Sequence, residues 1–108
     1  MLDGKFIRGT TPTHTFILPF HTSLFEDFSV AYREVRTREV KVKRDMTNCE
    51  MDENVIAVTL TQEESLSFTP GAIVEVQLKV YSDTGEVLAS PSYRLLAEDV
   101  LDERIFGK

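Results

Sequence analysis

The nine residues from Ile73 to Tyr81, IVEVQLKVY, place Val74, Val76, Leu78 and Val80 on one face of an extended chain and Glu75, Gln77, Lys79 and Tyr81 on the other. Side chains alternate across a strand, so this period of two buries one face and wets the other. Ser82-Asp83-Thr84-Gly85 follows as a turn with glycine at its end, and Val87 to Ala89 continues as a second extended run. The pair reads as a β-hairpin of a half-buried antiparallel sheet.

Outward from this hairpin the same grammar repeats. Upstream, Pro70-Gly71 suits a type II turn, because proline presets the first central dihedral and glycine tolerates the positive second one. Before it, Thr61-Gln62-Glu63-Glu64 has the spacing of a capping box, with room for about one helical turn near Thr61 to Leu66. Asn48 to Met51 and Asn54 to Leu60 flank the polar pair Asp52-Glu53, giving a hairpin with Ile56, Val58 and Leu60 inward. Phe28, Val30 and Tyr32 mark a further strand, and Arg36-Thr37-Arg38 turns the chain into another, where Val40 and Val42 are expected inward and Glu39, Lys41 and Lys43 outward.

Near the start, Lys5 to Arg8 and Thr13 to Phe20 form two short strands around the corner Gly9-Thr10-Thr11-Pro12, with His14, Phe16, Leu18 and Phe20 on one face. Pro19 has no amide to donate, so its strand lies at an edge or ends there. A last strand, Tyr93 to Ala97, precedes an acidic segment over 98–108, in which Val100, Leu101 and Ile105 form an amphipathic turn or a docking segment. About eight short strands with frequent turns and no long helical period predict an all-β, antiparallel two-sheet sandwich, Ig-like or jelly-roll-like, as one domain over 1–108.

Composition narrows the chemistry. A chain of 108 residues that is 42% hydrophobic can bury one core without staples. No apolar run approaches the roughly 20 residues of a membrane span, and the N-terminal residues lack a secretory layout, so cytoplasmic synthesis and no membrane partner are expected. The lone Cys49 makes no internal disulfide and reads as a small hydrophobe whose burial leaves the thiol unreactive. His14 and His21 lack the tight paired spacing of metal motifs and read as ordinary surface or strand-end histidines, so neither metal nor other cofactor is expected. There is no phosphate loop and no nucleophile elbow, and Glu63-Glu64, Glu98-Asp99 and Asp102-Glu103 read as a helix start and a solvated tail. The chain is expected not to be an enzyme.

Charge is uneven. From Arg33 to Arg44 six basic residues face two acidic ones, a local +4, which leaves −10 elsewhere in a chain of net −6. Nucleic acid is disfavoured as a partner because only Tyr32 lies near that stripe and its phase points inward. Carbohydrate binding has fold analogy alone in its favour, with Tyr81 and Tyr93 as stacking residues. What remains is a protein partner or self-association, through open strand edges or through the basic stripe meeting the acidic tail of another subunit. The surface expected to serve it comprises Arg36, Arg38, Lys41, Lys43, Glu75, Lys79 and Tyr81.

Several runs carry a resemblance: Gly9 to Phe16, Leu18-Pro19-Phe20, Asn48-Cys49-Glu50, Val58 to Leu66, and Leu88-Ala89-Ser90. Together they resemble small proteins of about this length encoded in prophage-like regions of Gram-positive bacteria, and are distantly similar to the N-terminal domain of upper baseplate proteins of tailed phages. The resemblance implies a β-sandwich with a structural role in a virion and other virion proteins as partners. It implies no catalytic residue.

Overall fold

In the computed structural model of the chain, which describes residues 2–107, the alternating run lies in β7 (Ala72–Ser82), the longest strand. Val74, Val76, Leu78 and Val80 are all buried, while Gln77, Lys79 and Tyr81 are exposed. The turn closes as the sequence predicts, with Gly85 at φ 89°, and β8 (Val87–Ala89) pairs antiparallel with Lys79 to Tyr81.

β7 is central in a six-stranded sheet. Along one edge it pairs with β3 (Phe25–Glu34), which in turn pairs with β4 (Val40–Asp45). Along the other it holds β8 and then β9 (Tyr93–Glu98), and β9 carries β1 (Gly4–Ile7) at the outer margin. The smaller sheet has three strands, β2 (Thr13–Ile17), β6 (Val55–Thr59) and β5 (Glu50–Asp52), in the order β2-β6-β5. The corner at Gly9 to Pro12 therefore carries the chain from one sheet to the other. The two-sheet β-sandwich expected from the sequence is the observed fold, with nine strands among the described residues. One pairing departs from the antiparallel rule: β1 runs parallel to β9, because the chain enters and leaves the large sheet in the same direction.

The core fills the space between the sheets. Val30 and Tyr32 of β3, Ile56 and Val58 of β6, Val74 of β7, and Leu60 are fully buried, and Phe6 meets Phe68 edge to face with ring centroids 5.6 Å apart. α1 (Gln62–Leu66) is the short helical turn, and its capping box is formed: Glu64 donates its amide to the Thr61 hydroxyl at 3.1 Å while its carboxylate accepts from the Thr61 amide at 2.9 Å. The Pro70-Gly71 turn is formed too, closed by the Ala72 amide on the Thr69 carbonyl with Gly71 at φ 77°.

The expectation that Val40 and Val42 share the inward face is corrected. Val42 is buried opposite Tyr32, but the register slips between Tyr32 and Arg33, so Val40 stands opposite the outward Arg33 and is exposed. The extra residue is Lys41, at a β-bulge, and a bulge shifts the phase of everything beyond it. Lys41 is consequently half-buried rather than fully solvent-facing, beside Glu39 at 3.6 Å. No amphipathic turn forms at the C-terminal end. Residues 99–107 run as an irregular strap, pinned where Arg8 donates to Asp99 at 3.0 Å and Glu103 at 3.3 Å and where Gln62 exchanges two hydrogen bonds with the Phe106 backbone. No helix among the described residues is long and apolar enough to cross a membrane.

Candidate functional site

Three strands cannot cover six. Opposite residues of paired strands share a face, so Leu88 lies with Val80, Tyr93 with Val76 and Leu95 with Val74 on the inner face of the large sheet. Val74 and Val76 lie under the small sheet and are buried, but Leu88 is 45% and Tyr93 41% exposed. The small sheet ends at β2, short of β8 and β9, and what remains is an open cleft of about 780 Å³. Phe16, Leu18 and Phe20 form one wall, Val76, Leu78 and Val80 the floor, and Leu88 with Tyr93 the far side. Among the described residues, Asp3 and Lys5 are the only carboxylate and ammonium side chains of the lining.

His14 also lines this cleft and is neither a surface nor a strand-end histidine. It is half-buried between Phe6 and Tyr32, and its Nδ1 lies 2.6 Å from the Tyr32 hydroxyl. Burial pushes the imidazole pKa below its ordinary value and the Tyr32 phenol well above its own, so both groups are neutral near pH 7. His21 does sit at the surface, where its ring accepts from the Ser23 amide at the start of the 3₁₀ turn Thr22–Leu24. Cys49 is half-buried against the core rather than fully buried, and burial raises its thiol pKa despite the nearby Arg44. Among the described residues no three His, Cys, Asp or Glu side chains converge in a way that could hold a metal ion.

The residues singled out from the sequence fall elsewhere. Lys43, Glu75, Lys79 and Tyr81 lie on the outer face of the large sheet, with Lys43 across from Ala31 and Lys79 across from Ser29. Glu75 bridges two cations, Arg33 at 2.7 Å and Arg94 at 3.7 Å, so it belongs to a cross-strand network. Arg36 and Arg38 project from the β3–β4 turn at the end of that sheet, with Arg38 in the left-handed region at φ 59°. Lys41 sits in the bulge. The remaining basic residue of the stripe, Arg44, is structural: it pairs with the Glu64 carboxylate and donates to the Thr59 carbonyl at 3.1 Å, tying β4 to the far sheet.

Sequence reading missed the cleft. Tyr93 is expected exposed, as a stacking residue, and it is 41% exposed; what no local pattern gives is the count of strands in the opposite sheet, which leaves Tyr93 and Leu88 uncovered together. A second legible signal is Pro19, which marks its strand as lying at an edge or ending there; β2 is an edge strand and ends at Ile17.

No protein-family model matches the chain, and no curated protein matches it. Among solved structures the fold is similar to the crystal structure of CopC from Methylosinus trichosporium OB3b, with a TM-score of 0.58 over 91% of this chain and 87% of that one at 11% identity. At that identity the likeness establishes the β-sandwich fold and nothing further.

Proposed function

We propose that this chain is a non-catalytic module that works by binding other proteins, as a structural component of a phage or prophage virion such as its tail or baseplate. The observation that supports the binding role is the open cleft, whose exposed Leu88 and Tyr93 stand on a face that is otherwise core. Apolar surface left in water this way gains free energy when another chain covers it. The virion role rests on the resemblance carried by the runs from Gly9 to Phe16 and Val58 to Leu66.

Two other readings have less support. Tyr81 and Tyr93 lie on opposite faces of the large sheet, since Tyr93 pairs with the inward Val76 while Tyr81 alternates outward, so they make no common platform for a sugar. In the basic stripe Arg33 and Arg44 already hold carboxylates, which reduces the charge left for phosphates.

Proteomics of density-purified particles, induced from the strain that encodes the chain, tests the virion role. The chain is expected in the particle fraction alongside other tail proteins. Its absence from particles in which those proteins are detected would overturn the virion role.

A further inference from the structure

Among the described residues the sandwich has five strands with an open edge, and four of them are blunted. β4 carries Lys41, Lys43 and Arg44 and is broken by its bulge. β5 and β8 have three residues each, and two of the three in β5 are the carboxylates Glu50 and Asp52. β1 has four residues and carries Lys5. Charge, bulges and shortness are the usual devices that keep a sheet edge from pairing with another chain. β2, Thr-His-Thr-Phe-Ile over Thr13–Ile17, has none of them: no charged side chain, no bulge, and five residues in unbroken register with β6.

The free side of β2 is defined by its ladder. The Leu18 amide donates to Asn54 at 2.8 Å and the Leu60 amide to Pro12 at 3.0 Å, so the even positions from Pro12 to Leu18 face β6. In an antiparallel ladder the intervening residues point the other way. Thr13, Thr15 and Ile17 therefore turn their amides and carbonyls outward, and all three line the cleft. Beneath them, His14 has its Nδ1 engaged with the Tyr32 hydroxyl.

We infer that β2 accepts an added strand from another polypeptide, whose backbone pairs with Thr13, Thr15 and Ile17 while its alternate, apolar side chains fill the cleft. The inference rests on the protein-binding reading above and names the kind of segment bound. Charge fixes the occupant's chemistry: the lining holds one carboxylate and one ammonium and is otherwise uncharged, so the inserted side chains are uncharged. Strand addition lets the backbone supply affinity and the pockets beneath alternate side chains supply specificity. The added strand also extends the three-stranded sheet over Leu88 and Tyr93, the inner face that it leaves bare.

Proline at an outward-facing edge position removes no ladder bond, so Thr15→Pro separates strand addition from folding. The test is selection from a displayed library of random peptides on the intact chain, followed by titration of the enriched peptides against the parent, Thr15→Pro and Leu88→Asp, each checked by thermal melting. Ile17→Pro repeats the backbone arm should Thr15→Pro fail to fold. Enriched peptides are expected to alternate apolar and polar residues and to weaken roughly tenfold or more with either variant. Peptides that weaken with Leu88→Asp but bind both proline variants as tightly as the parent would overturn strand addition and leave the cleft as a protein-binding site. Failure to enrich any peptide sensitive to Leu88→Asp would overturn both.

Discussion

Glu34 follows Phe28, Val30 and Tyr32 in the inward phase of β3 and is buried, 2% exposed. It is held there by hydrogen bonds from the Thr69 amide at 2.5 Å and the Thr69 hydroxyl at 3.2 Å. Glu34→Ala leaves that amide unpaired beneath the β7 entry turn and is expected to cost about 1–3 kcal/mol in urea unfolding, with Thr69→Ser much milder. His14 is expected to make stability depend on pH. Its unfolded value is near 6.5 and burial lowers it in the native chain, so between the two values the unfolded state binds more protons. Stability contributed by the neutral imidazole is complete above the unfolded value and is lost as pH falls through it toward the native one. Urea melts at about pH 7.5 and about pH 5.5 should show that loss in the parent and a smaller one in His14→Gln. At this scale the sequence was only partly readable. The inward phase of Tyr32 is visible in its neighbours, whereas the partners that make Glu34 and Arg8 tolerable inside lie far along the chain, Thr69 for the first and Phe68 with Asp99 for the second.

β7 and α1 were legible because their signals are local. Alternation fixes one, and the four residues Thr61 to Glu64 fix the other. Thr61→Ala is expected to lower stability by about 1 kcal/mol, the usual cost of losing an N-cap, and to loosen Glu64, which also pairs with Arg44. A double-mutant cycle of Thr61→Ala with Arg44→Met in thermal or urea melts checks the coupling, and strict additivity would show that cap and ion pair act separately. Leu60 is fully buried where β6 leads into α1, so Leu60→Ala is expected to cost about 2–5 kcal/mol. β4 was misread at Val40 because a bulge has no signature in a run that alternates valines with charged residues. The slip becomes apparent only when the strand is set against β3, where Val42 meets Tyr32 and Val40 meets Arg33.

The whole molecule is decided by an imbalance, six strands facing three, that no local pattern encodes. Leu88 and Val76 are both apolar, both face inward and both line the cleft, yet Leu88 on its far side is 45% exposed and Val76 in its floor 2%. Leu88→Asp is therefore expected to leave the melting temperature nearly unchanged, while Val76→Asp buries an unpaired carboxylate and should prevent folding. Thermal melts followed by circular dichroism distinguish the two. The most direct measurement is amide hydrogen exchange along β2 by NMR. Slow exchange is expected at His14, Phe16 and Leu18, which donate to β6, and fast exchange at Thr13, Thr15 and Ile17, which face the cleft. Protection at all six in the isolated chain would mean the edge is already covered, and would contradict an open cleft beside an unpaired strand.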